Sequence, residues 1–173
     1  MDKYVYFVEG YNEENVVNTL KDIKNRYIVA GKCRVLNIAQ EEIKGSHLMT
    51  LNKSTVAIVI YDNDVIIDRK TNPEKVKEKV NKNIKLLKEY CKQVIVICQY
   101  DNIEDEIKKS TNVTVRELLN SKSEKEAKSD LRHEKNLMKK LLEKNFDFNK
   151  FWQGAIPEYI KKQVETHKKI RLK

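Results

Sequence analysis

Apolar residues along the chain fall into two alternating patterns, short continuous runs and longer stripes spaced three or four residues apart. Tyr4–Val8 (YVYFV), Cys33–Ala39 (CRVLNIA), Thr55–Ile60 (TVAIVI) and Gln93–Cys98 (QVIVIC) are the runs. Their β-branched content, without polar alternation, predicts strands buried on both faces. A stripe of Val16, Val17, Leu20 and Ile23 predicts a helix from about Asn12. A second stripe of Val76, Val80, Ile84, Leu87 and Cys91 predicts another from Pro73, where proline suits the first turn. Gln40–Lys53 is ambiguous and is assigned a short helix and a loop. Beyond Cys98 the pattern is helical throughout. Thr114–Glu117 (TVRE) and Ser123–Glu126 (SEKE) both have capping-box spacing. The second is expected to open one long helix that buries Leu131, Met138, Leu141 and Leu142. Helical segments at Asp147–Trp152 and Pro157–His167 are expected to close the chain.

Strands alternating with amphipathic helices predict an α/β fold of three layers, with a parallel, roughly four-stranded central sheet. Residues 1–110 make this core. Residues 111–173 are a basic helical extension packed on it as one structural unit. Right-handed crossovers would gather the carboxyl ends of the strands at one edge, where such sheets bind ligands.

Acidic residues follow three of the four strands. Glu9 and Gly10, then Glu13 and Glu14, follow the first. Asp62 and Asp64 follow the third, and Asp101, Glu104, Asp105 and Glu106 follow the fourth. Only Asn37 and Gln40 follow the second. Asp62 and Asp64 are two residues apart, so at an extended strand end their side chains share one side. Two such carboxylates raise each other's pKa and destabilise the fold unless a cation lies between them. Hard divalent ions, Mg²⁺ above all, take oxygen ligands of this kind. Glu13, Glu14, Glu104 and Asp105 also suit helix N-termini, where the macrodipole favours negative charge, so each alone has a structural explanation.

The chain has 173 residues, enough for a single core. Its net charge of +9 is uneven: residues 1–120 carry 20 basic and 18 acidic side chains, residues 121–173 carry 15 and 8. A basic final third suits a polyanion, most often nucleic acid, although a lysine-rich solvated helix face has the same composition. No apolar run reaches the roughly 18 residues needed to span a bilayer, and the N-terminus lacks signal-peptide anatomy. The expectation is a cytoplasmic protein with no membrane partner. Cys33, Cys91 and Cys98 form no CxxC pair and are expected as reduced, buried thiols.

The acidic pattern resembles a TOPRIM domain, the metal-dependent module of topoisomerases, primases and OLD nucleases. Glu9 with its glycine in YVYFVEG stands where that family has a glutamate after its first strand, and Asp62 and Asp64 in IVIYDND match its D-x-D. Glu13 resembles the second acid of the OLD-like and RloB-like branches, and Glu104 or Glu106 the glutamate after the next strand. The likeness covers roughly residues 3–110, without the ATPase domain of OLD nucleases, and Val65 and Ile66 stand where the family often continues with an acid or glycine. It implies phosphodiester cleavage of DNA or RNA assisted by Mg²⁺ or Mn²⁺, in bacterial defence or nucleic-acid processing. Two metals about 4 Å apart would stabilise the attacking and leaving oxygens. Glu9, Asp62 and Asp64 would hold one, and Glu13 and Glu104 the second. Glu9 could instead act as a general acid or base.

Basic groups must also offset phosphate charge. Ser121–Ser123 precedes the basic helix, and a helix N-terminus favours anions, so Lys122 and Lys128 are the candidates. Phe146, Phe148, Phe151 and Trp152 could stack on bases, but are expected to pin the last helices to the core. Three readings stay open: a nuclease, a nucleic-acid- or protein-binding module with a degenerate site, and a receiver-like Mg²⁺-binding signalling domain. The sequence sets no oligomeric state.

Overall fold

The computed structural model describes residues 2–62, 72–165 and 167–172, without the side chains of His167 and Lys169. Four parallel strands, β1 (Lys3–Val8), β2 (Lys32–Val35), β3 (Thr55–Asp62) and β4 (Gln93–Gln99), form a sheet in the order β2-β1-β3-β4. The helices are α1 (Tyr11–Lys21), α2 (Gly45–Leu48), α3 (Pro73–Tyr90), α4 (Ile103–Thr111), α5 (Val115–Leu119), α6 (Glu124–His133), α7 (Leu137–Glu143) and α8 (Glu158–Lys161). Alternating side chains of β1, β3 and β4 feed two cores. Tyr6, Val8, Ile58, Ile60, Ile95 and Ile97 pack with α1 and α4–α7. Val5, Phe7, Val59, Tyr61, Val94 and Val96 pack with α3 and α8. The fold is therefore the expected three-layer α/β arrangement. All eight residues of β3 are buried because it has a strand on each side and helices on both faces. Two buried tyrosines place their hydroxyls on partners, Tyr6 donating to the Val29 carbonyl at 2.6 Å and Tyr61 meeting the Tyr159 hydroxyl at 3.0 Å.

Several elements differ from their sequence pattern for local reasons. β2 stops at Val35, because Asn37 Oδ1 accepts from the Ala39 and Gln40 N–H groups and turns the chain. Leu36, Ile38 and Ala39 remain buried, as loop residues rather than strand residues. α1 ends at Lys21, leaving Ile23 73% exposed. The predicted long helix is two, α6 and α7. Asn15 donates to the Leu131 and Glu134 carbonyls at 2.7 and 3.0 Å, satisfying the end of α6 and breaking the run. Leu131, Met138 and Leu141 are buried as expected, but Leu142 is 53% exposed. Thr114 and Glu117 form a full capping box. Ser123 caps α6 alone, since the Glu126 carboxylate turns to the Lys122 N–H. Asp147–Trp152 contains one 3-10 turn, Phe148–Lys150, and the described residues of Pro157–His167 contain the short α8 and the start of a 3-10 turn, His167–Ile170.

Residues 111–173 close the sheet rather than standing apart from it. α6 and α7 pack on α1, and Phe148, Phe151 and Trp152 are buried in the α1-side core, so these aromatics are packing residues. The chain then passes along β4, the outer strand. Glu165 donates its N–H to Val94 and accepts from Val96 N–H, which covers the edge that β4 would otherwise present. Gly154 lies against the Cys98 and Gln99 carbonyls, where a Cβ would collide with backbone. Finally Arg171 bridges to Ile28, tying the end of the chain to the α1–β2 connection. Cys33 is half-buried, while Cys91 and Cys98 are buried; all three are free thiols, with burial pushing Cys91 up to about 11 and Cys98 up to about 12.

Candidate site at the carboxyl edge of the sheet

From β1 the chain crosses to β2 on one side and then returns past β1 to β3 on the other. The crevice between the ends of β1 and β3 is therefore the topological switch point, where open parallel sheets bind ligands. Glu9 follows β1 and Asp62 ends β3, so the two residues meet there. The Asp62 N–H donates to Glu9 Oε1 at 3.2 Å. The Asn37 amide, beyond β2, donates to Glu9 Oε2 at 2.9 Å. Gln99 stands opposite Asp62 in the β3–β4 register, and its amide donates to Asp62 Oδ1. A row of polar side chains, Asn37, Glu9, Asp62 and Gln99, thus follows the strand order. Asp62 is only 8% exposed because it is still inside the ladder. Asp64 lies outside the described residues.

A second group gathers at the N-termini of α1 and α4. Glu13 is 7% exposed and folds back over Gly10, whose missing Cβ would sit 2.9 Å from Glu13 Oε2. Gly10 itself is extended, with φ −149°, and its lack of a Cβ leaves room for the Glu13 carboxylate. Asn12 donates to Glu104 Oε1 at 3.2 Å, and the Lys128 ammonium lies 3.7 Å from the same oxygen. Burial raises the Glu13 pKa, the Glu104 charge raises it further, and backbone N–H groups and Lys128 oppose the rise.

Of the predicted residues, the structure joins Glu9 to Asp62 and Glu104 to Lys128, and it buries Glu13 against Gly10. Lys122 is exposed between α5 and α6 and forms no ion pair among the described residues. It precedes the Ser123 cap of α6 and is exposed to solvent. Glu106, the alternative to Glu104, has a packing role. It is 1% exposed and accepts from the Tyr100 N–H at 2.6 Å and the Trp152 N–H at 2.7 Å. Asn37 and Gln99 belong to the row but carry no charge to announce them; their signal is an amide placed directly at a strand end.

The donor types suit a hard divalent cation: carboxylate oxygens from Glu9 and Asp62, and a second set from Glu13 on α1 and Glu104 on α4. Acceptors also outnumber donors beside Glu104, since Asn12 Oδ1 is buried without a hydrogen-bond donor. Among the described residues, no three His, Cys, Asp or Glu side chains converge closely enough to form a metal cluster. Comparison of the chain with protein-family models, curated proteins and solved structures finds no match. No described helix is long and apolar enough to cross a membrane.

Proposed function

We propose that the chain is a divalent-metal-dependent phosphodiesterase acting on DNA or RNA, with a TOPRIM-like site. The observation that carries this reading is the pairing of Glu9 with Asp62 at the switch point of a parallel sheet. Glu9 and Asp62, with Asp64 from the sequence pattern, would hold Mg²⁺ or Mn²⁺, and Glu13 and Glu104 are the ligands proposed for a second ion. A bound ion would polarise a phosphoryl oxygen and generate a stronger nucleophile from water. The protein's own groups set the stage for this. Asn37 and Gln99 hold the two carboxylates in place, and Lys128 brings positive charge beside Glu104 for a substrate phosphate. The basic final third supplies the wider attraction for a polyanion.

The test is cleavage of single- and double-stranded DNA and RNA in Mg²⁺ or Mn²⁺, with Glu9→Gln and Asp62→Asn alongside. Products that vanish with either substitution and with chelator support the reading. Equal products from wild type and variants would defeat it. One observation favours a second reading, a nucleic-acid- or protein-binding module without turnover: Asn37 and Gln99 already supply donors to both carboxylates. Salt-sensitive binding without cleavage is the outcome that selects it.

A further inference from the structure

α1, which starts two residues beyond Glu9, and α6 line an open cleft of about 400 Å³, formed by Tyr11, Glu14, Asn15, Asn18, Arg132 and His133. The volume lies within the range of small-ligand sites. Tyr11 is the first residue of α1, two positions beyond Glu9, and is 54% exposed. Its ring lies under the Arg132 guanidinium, 5.0 Å from the centroid. The pair is held from behind, because the two Asn15 hydrogen bonds grip the carbonyls of Leu131 and Glu134 on either side of Arg132. Lys128 stands one turn earlier on α6, so positive charge runs from Glu104 to the cleft.

We propose that this cleft seats an unpaired base of a single-stranded nucleic acid, stacked on the Tyr11–Arg132 pair, with its backbone passing the Glu9–Asp62 edge. The inference rests on the reading above, and it narrows the substrate class. An aromatic ring and a guanidinium plane accept any base by its π-face, while Arg132 and Lys128 offset the neighbouring phosphates. A base held in a duplex keeps both faces in its own stack and cannot enter. The arrangement recurs on the other side of β3. Tyr100 follows Gln99, is 56% exposed and has the Lys109 ammonium over its ring. The remaining aromatic cluster, by contrast, is committed to packing: Phe148, Phe151 and Trp152 are buried against one another.

Fluorescence anisotropy with labelled 12-nucleotide DNA and RNA single strands, and with the matching duplexes, tests this in chelator, where nothing is cut. Wild type should prefer a single strand, and the two sugar types show which nucleic acid is bound. Tyr11→Ala should weaken single-strand binding by about tenfold or more, and Tyr11→Phe by less than about twofold. Duplex affinity should change little with Tyr11→Ala. Arg132→Ala should follow Tyr11→Ala and flatten the salt dependence. No single-strand preference in wild type, unchanged single-strand affinity in Tyr11→Ala, or equal losses for single strand and duplex would each overturn the proposal. Binding is read without turnover, so a catalytic failure in Glu9→Gln tests only the phosphodiesterase reading. Tyr11 is exposed, and equal thermal midpoints for wild type and Tyr11→Ala confirm that folding is not the cause.

Discussion

Glu9 and Glu106 are the same residue type, each placed shortly after a parallel strand, yet their surroundings give them opposite tasks. Glu106 is fully buried and accepts two backbone N–H groups, one from Tyr100 and one from Trp152. Those donors cannot move without moving the chain, so this carboxylate fastens the C-terminal segment to the end of β4. Glu9 is half-buried at the switch point and accepts from a side chain, Asn37, and from the Asp62 N–H. A side-chain donor can rotate away when a ligand arrives. What surrounds an acid, more than its position after a strand, separates a site from a clasp.

The largest contrast is expected when both are changed to glutamine. Glu9→Gln, like Asp62→Asn, should lower phosphodiester hydrolysis by about a thousandfold, the upper range for losing one group that stabilises developing charge. Its denaturation midpoint should move little. Glu106→Gln should do the reverse. It sets an amide NH₂ against a buried backbone N–H and should cost about 3 kcal/mol in urea unfolding. The specific activity of its folded fraction should remain. A catalytic loss in Glu106→Gln as deep as in Glu9→Gln would erase the distinction.

Gly154 sharpens the clasp side of the comparison. Gly154→Ala would press a Cβ into the Cys98 and Gln99 carbonyls and should destabilise by about 2 kcal/mol, in the range of overpacking. The loss should show in chemical denaturation. If the substitution is neutral, the segment beyond Trp152 contributes little to closing the sheet.

The smallest effect concerns pH. Burial raises the pKa of Glu13 above its ordinary value of 4.5, with Glu104 adding to the rise, so the folded protein holds this proton more tightly than the unfolded chain does. The resulting stability is complete below pH 4.5 and is lost as pH climbs through the raised folded value. Burial acts on Glu106 in the same direction. Glu13→Gln should therefore flatten part of the decline in thermal midpoint as pH rises above 4.5. A decline identical to that of wild type would show that Glu13 ionises as freely in the folded state as in the unfolded one.

The layers of the fold were legible because parallel strands leave runs such as TVAIVI and QVIVIC, which no surface helix needs. Helix ends were less so. The break after His133 depends on Asn15, more than a hundred residues earlier, and α1's end at Lys21 strands Ile23 in solvent despite its helical spacing. At the site, charged residues at strand ends pointed to the edge and to the Glu9–Asp62 pair. The amides Asn37 and Gln99 passed unmarked because an amide at a strand end is common and carries no net charge. The choice between Glu104 and Glu106 was also beyond local pattern. The Trp152 N–H, from a segment 46 residues further on, is what gives Glu106 its packing role.

That distant donor has a consequence for how the chain acquires its shape during synthesis. Residues leave the ribosome from the N-terminus onward, and native contacts form as their partners emerge. The four strands are complete once Gln99 is made, but the outer flank of β4 waits for Glu165, and the Glu106 carboxylate waits for Trp152. In that interval the nascent protein carries an open strand flank beside an unsatisfied charge. Such a species invites pairing with a neighbouring chain. The last stretch of polypeptide thus acts as a latch on an otherwise assembled sheet.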